Sequence, residues 1–317
     1  MAALVGFGCA PIGSRIGERQ ARELLSVAFD HGIRHVDVAP SYGRGFAEDI
    51  LGRFLTGRRE KVRIATKFGI EPAPRHAHTP FLLALGRLVQ RSLPRLRQRV
   101  SAQAAPARLE RVAPDVMRRS VERSLRALST DHIDTLLFHD CSTAAALADD
   151  LRAALVDMVT AGKVGRVGLA TDALIAAEIM RADRGEIYTV VQCPNSIFGP
   201  LSEDLAAALR GTGSLITHSA LGNTGRLAAL SMRLANHPPV SAALRELGCD
   251  PSTPEGLAHV LLSWALAANP DGVVLVSTTS RQRLEANCAT AMQPTALPPE
   301  LARRLIEIAR EDVANVH

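Results

Sequence analysis

Apolar residues recur along this chain in two alternating rhythms. Short runs rich in Val, Ile, Leu and Phe, closed by polar, Gly or Pro residues, read as buried strands. Eight are visible: LVGFG (4–8), IRHVDVA (33–39), VRIATK (62–67), IDTLLFH (133–139), RVGLAT (166–171), YTVVQC (188–193), SLITHSAL (214–221) and GVVLVS (272–277). Between them, apolar residues fall three and four positions apart, the spacing of one helix face. Residues 18–31 gather Ala21, Leu24, Leu25 and Ala28, with Gly32 as a stop. Residues 47–55 gather Ile50, Leu51, Phe54 and Leu55. Residues 115–128 gather Val116, Val121, Leu125 and Leu128. Residues 255–268 are apolar nearly all round and read as a buried helix, too short for a membrane span.

Eight strand–helix alternations in about 300 residues predict a parallel (β/α)8 barrel, the TIM-barrel architecture. A doubly wound open sheet is the alternative, but the glycines of VGFGCAPIG lack the G-x-G-x-x-G spacing. No Gly-, Ser- or Pro-rich linker divides the chain, so residues 1–317 read as a single barrel domain. The one irregular stretch, about 70–112, falls between the third and fourth strands, on the face where barrel enzymes build their sites.

Composition narrows the classes. The chain is 47% hydrophobic and 22% charged, with no uninterrupted apolar run of membrane length. Its first residues, MAALVGFG, lack a basic segment and a long apolar segment, so no secretion signal is expected. Five scattered cysteines, with no C-x-x-C pair, fit a reducing cytoplasm. The net charge of +5 is local: residues 81–112 hold seven arginines against Glu110 alone. Arg87, Arg91, Arg95 and Arg99 share one face if Pro94 permits a continuous helix. Such a stripe is either a solvated face or a contact for an anion. Aromatics at 3% argue against nucleic acid as a partner. The H-x-H of RHAH (75–78) lies among prolines and off any strand, so no metal site is expected.

Candidate chemistry gathers where the barrel strands end. Asp37 closes the second strand, with Tyr42 in the loop beyond; Lys67 closes the third and His139 the fourth. Only three of the 37 basic residues are lysines, so Lys67 is not a generic cation in this chain. Singly, each residue has an ordinary reading: Asp37 as a partner of Lys67, His139 as a core histidine, Tyr42 as loop packing. Together they suit proton transfer to a carbonyl oxygen. Asp37 keeps Lys67 charged, Lys67 lowers the pKa of Tyr42, and His139 donates to the substrate oxygen. After the eighth strand, STTSRQRLEAN (277–287) brings hydroxyls, Arg281 and Arg283 to a helix start, a pattern that suits phosphate.

These segments resemble the aldo-keto reductases across essentially the whole chain: VDVAPSYG, AEDILGRFL, ATKFG, SVERSLRALSTDHIDTLLFHD and AGKVGRVGLAT. The resemblance implies a tetrad of Asp37, Tyr42, Lys67 and His139, with Tyr42 as proton donor. It implies a nicotinamide cofactor, NADP(H) with NAD(H) possible, and a small carbonyl or sugar substrate. It places Gln192 and Thr171 near the carboxamide, and His218 where an aromatic stacks on the nicotinamide. Ser277, Thr278, Arg283 and Asn287 fall at the adenosine end, with Arg283 suited to a 2′-phosphate. Departures are Ala170 and Thr171 in place of the family's Ser-Asn pair, Ser277 where some members carry lysine, and no N-terminal hairpin. The alternatives are a sugar 1-dehydrogenase working oxidatively and a non-catalytic NADP(H) sensor. Substrate identity and oligomeric state stay open.

Overall fold

A computed structural model describes residues 4–72, 109–211 and 213–311. The Arg-rich stripe and the RHAH motif lie outside the described residues. Eight parallel strands close a barrel in chain order, each paired with its neighbours and the last with the first. They are β1 (Leu4–Gly8), β2 (His35–Asp37), β3 (Arg63–Phe68), β4 (Ile133–His139), β5 (Val164–Ala170), β6 (Tyr188–Pro194), β7 (Ser214–His218) and β8 (Val273–Val276). Two differ notably from their expected spans. Strand β2 is shorter than its apolar run at both ends, although the Val38 N–H still donates to the Ala65 carbonyl at 2.9 Å before the chain turns at Pro40. Strand β7 stops at His218, where Ser219 takes a left-handed backbone with φ of 63°.

Helices form close to the four spans expected from apolar spacing, and further ones accompany them among the described residues. They are α1 (Glu18–Asp30), α2 (Phe46–Leu55), α3 (Pro114–Leu128), α4 (Thr143–Ala146), α5 (Asp149–Thr160), α6 (Ala173–Asp183), α7 (Glu203–Leu209), α8 (Thr224–Ala235), α9 (Pro238–Glu246), α10 (Pro254–Ala267), α11 (Arg281–Met292) and α12 (Pro299–Arg310). Helix α3 shows the logic. Pro114 starts it, Met117, Val121, Leu125 and Leu128 face the sheet, and Ser129 ends it in the left-handed region. Each such side chain, fully buried, contributes about 1.5–3 kcal/mol. Among the described residues four helices exceed one per strand: α4 ahead of α5, two of the three from α8 to α10 ahead of β8, and α12.

Two large apolar clusters join helices to the outside of the sheet. A small third one fills the bore: Ala65, Leu137, Ala170, Val190, Ile216 and Leu275, one from each of β3 to β8. On β1 the bore has no room for a side chain. A Cβ on Gly6 would meet Leu275 Cδ2 at 2.7 Å and His35 Cδ2 at 2.9 Å. The polar groups described next stand at the strand ends above this apolar layer.

Candidate active site

Asp37 is the last residue of β2, and Lys67 the last but one of β3; both are buried. The Lys67 ammonium donates to Asp37 Oδ1 at 2.6 Å and to the Val38 carbonyl at 3.2 Å. From the opposite wall of the barrel, Gln192 Nε2 on β6 donates to the same Oδ1 at 2.7 Å. Tyr42 follows β2 on a tight turn, its N–H donating to the Ala39 carbonyl at 3.1 Å. Lys67 Nζ lies 5.1 Å from the centre of the Tyr42 ring. The His139 ring, from the end of β4, meets Tyr42 edge-on, 6.5 Å between centroids and 85° between planes. The four residues from three strands therefore share one small volume, with Gln192 beneath.

Electrostatics sharpen the picture and correct one expectation. Burial works against the Lys67 ammonium, but Asp37 and then Tyr42 outweigh it and hold its pKa above the ordinary value. Burial also dominates at Tyr42 and raises its pKa; Lys67 pulls the other way without overcoming it. The lowering of Tyr42 expected from Lys67 is thus present as a contribution and absent as a net effect. Burial first, then Lys67, pushes His139 down to about 4, so its imidazole is neutral near pH 7. His218, at the end of β7, is lowered by burial as well. The site holds one compensated ion pair, a protonated phenol and two neutral imidazoles.

The other anticipated residues form a second group. Thr278 Oγ1 accepts the Ser280 N–H at 3.1 Å, and Ser280 Oγ accepts the Arg283 N–H at 3.4 Å, capping α11. Arg281 is committed to Glu285 at 2.8 Å, whereas Arg283 has no ion pair among the described residues. Asn287 is largely buried on the same helix. Ser277 Oγ donates to the Gly8 carbonyl at 3.0 Å, and Thr171 Oγ1 to the Cys141 carbonyl at 3.2 Å, so neither proton is free. Sequence reading passed over Cys9. Its N–H donates to the Asp37 carbonyl at 2.8 Å, and its fully buried thiol is pushed up by burial and by Asp37, which leaves it inert. Its position directly after the β1 run was the available signal.

The sequence model of the Aldo/keto reductase family matches residues 4–308. The chain belongs to that family. Among curated aldo/keto reductases it resembles "Aldo-keto reductase yakc [NADP(+)]" of Schizosaccharomyces pombe, 28% identical over 170 residues, 52% of this chain and 41% of that protein. It also resembles the D-threo-aldose 1-dehydrogenase of a Pseudomonas species, 38% identical over 76 residues, 22% of this chain and 23% of that one. The matched stretch thus spans less than half of either relative. An aldo-keto reductase of Klebsiella pneumoniae, solved in complex with NADPH, superposes with a TM-score of 0.68 at 18% identity, covering 99% of this chain and 97% of the other. At that identity the likeness is one of fold.

Two features of this aldo/keto reductase fit a nicotinamide dinucleotide. The Gln192 amide nitrogen is engaged by Asp37, which leaves its carbonyl oxygen to accept from a carboxamide. Asn287 is 7% exposed yet its amide makes no hydrogen bond among the described residues, beside a capped helix start and an unpaired Arg283.

Proposed function

We propose that this aldo/keto reductase is an NADP(H)-dependent oxidoreductase that interconverts an aldehyde, ketone or sugar carbonyl with its alcohol, Tyr42 moving the proton. The reading rests on one observation above the others: a protonated phenol beside a buried ammonium that is itself held charged by Asp37. Gln192, Thr171 and His218 would hold the nicotinamide end, and Ser277, Thr278, Arg283 and Asn287 the adenosine end. Bound NADPH would supply the hydride that the carbonyl carbon accepts. As that carbon is reduced, its oxygen takes the proton of Tyr42. The phenolate left behind is stabilised by Lys67 and regains a proton from solvent. Neutral His139 donates a hydrogen bond to the same oxygen without giving up a full proton. The S. pombe relative's NADP(+) and the Klebsiella complex with NADPH favour the phosphorylated cofactor, as does unpaired Arg283.

Tyr42→Phe tests the reading. It keeps the ring and removes only the hydroxyl, so NADPH affinity by fluorescence titration stays within about twofold. Turnover on an aldehyde panel falls by about 10²–10⁴. Turnover within a few-fold of wild type removes Tyr42 from the mechanism; tight binding with no turnover in the wild type favours a sensor. A second reading, oxidation of a sugar at its anomeric carbon, draws support from the likeness to the Pseudomonas dehydrogenase. Comparing kcat/KM in both directions at one pH separates the two.

A further inference from the structure

We infer that Arg44 is the residue by which this site recognises an anionic group on its substrate, a carboxylate or phosphate a few atoms from the carbonyl. The inference rests on the Tyr42 reading and adds a substrate class to it. The turn after Tyr42 runs through three consecutive left-handed residues: Gly43 (φ 57°, ψ 30°), Arg44 (φ 56°, ψ 37°) and Gly45 (φ 88°, ψ −1°). Two are glycines, which adopt this region freely; the third is not. Two other non-glycine residues with positive φ, Ser129 and Arg184, cap helices, where that conformation is ordinary. Asp140 and Ser219 instead directly follow β4 and β7, and Arg44 lies in the turn of the loop after β2, all three beyond the C-terminal strand ends.

Strain at a rim residue persists because something fixes it. For Arg44 the inner side of the turn is closed. A Cβ on the preceding Gly43 would fall 2.4 Å from the Ile12 carbonyl, so the turn lies pressed on residues 12–13. The Arg44 side chain is exposed and makes no hydrogen bond, ion pair or ring contact among the described residues. The segment 73–108 offers it no carboxylate either, for it contains no Asp or Glu. Many other described arginines are engaged: Arg53 with Glu18, Arg59 with Asp134, Arg152 with Asp183, Arg181 with Asp204. An arginine held beside Tyr42 in a backbone geometry suited to glycine, with no partner among the described residues, is left free to meet a ligand. Its Cα is at most about 7.6 Å from that of Tyr42, two peptide units away. A flexible side chain from there can meet an oxyanion on a molecule whose carbonyl sits at the phenol.

The test compares three probes under NADPH: glycolaldehyde phosphate, succinic semialdehyde and neutral glycolaldehyde. Arg44→Gly relaxes the turn and therefore folds. The ratio of kcat/KM for the better anionic probe over the neutral one falls about 10- to 100-fold, chiefly through KM. Arg44→Lys restores most of the ratio for phosphate and less for carboxylate, which needs the planar fork. A response confined to one probe names the anion. A ratio unchanged by Arg44→Gly overturns the inference. If the wild type reduces none of the three, Tyr42→Phe on the wider carbonyl panel decides the catalytic reading separately. Recognition is then read from melting with inorganic phosphate or succinate: stabilisation lost in Arg44→Gly supports it, and stabilisation absent or unchanged overturns it.

Discussion

Replacing Lys67 by methionine keeps most of the side chain's length and volume and deletes its charge. In the protein the ammonium lies 2.6 Å from Asp37 Oδ1, with side chains 2% and 5% exposed. At that distance and an effective dielectric of 20, the attraction is about 6 kcal/mol. Desolvating two ions offsets much of it, so the pair's net worth is small. Removing one partner is different, because the carboxylate stays buried with, among the described residues, only the Gln192 amide as a side-chain donor. The expected loss is about 3–5 kcal/mol. At about 2 °C per kcal/mol for a large domain, melting falls by about 6–10 °C. Calorimetry at pH 7.5 measures this beside Asp37→Asn and the double substitution. The double variant buries no charge and recovers most of the loss, although its turnover stays abolished. A Lys67→Met protein melting within about 2 °C of wild type refutes the ionised pair. So does a double variant whose loss equals the two single losses added together.

Other outcomes follow from the same structure. Reduction is flat from about pH 5.5 to 8, because His139, pushed down to about 4, stays neutral and Tyr42, held up by burial, stays protonated. Oxidation, which needs the phenolate, climbs with pH; a reductive profile centred near 6.5 contradicts the assignment. His35 lies beneath the site with Nε2 unpaired, and burial pushes its pKa down to about 4. The unfolded chain binds that proton near 6.5. Its contribution is therefore full above pH 6.5 and drains away as pH falls toward 4, by about 3 kcal/mol. His35→Leu removes that slope in an acid melting series. Gly43→Ala drives a Cβ to 2.4 Å from the Ile12 carbonyl, shifts Tyr42 and lowers kcat at least about tenfold, with a stability loss of about 1–3 kcal/mol.

Much of this fold is legible because barrel strands are buried on both faces, so their apolar runs are continuous and bounded. The ends of β2, β3 and β4 could be read as site positions for the same reason: an Asp or Lys inside such a run has nowhere to go except the rim. What the residues could not reveal are effects of depth. Sequence showed that Lys67 would draw the Tyr42 pKa down, but the opposing burial depends on packing by residues far away in the chain. Nor could it show Gln192 reaching Asp37, a hydrogen bond across 155 positions. Helices α4, α9 and α12 had no expected span, since they are additional to one helix per strand. The strain at Arg44 is invisible in a YGRG string until the backbone angles are known.

The oxygen that Lys67 and Gln192 share has a mechanical consequence too. In a closed ring of eight strands, β2 and β6 face each other across the full diameter. Asp37 Oδ1 is therefore a cross-tie between opposite walls as well as a counter-charge. Strand number and the closed ladder set the barrel's width, and apolar side chains fill its bore. At the rim that width is braced further by a bond of 2.7 Å, close beneath the place where atoms must meet within a few tenths of an ångström. Asp37→Asn keeps the tie and loses the charge; Asp37→Ala loses both. Any difference in turnover between them beyond that in charge measures how much the enzyme relies on stiffness.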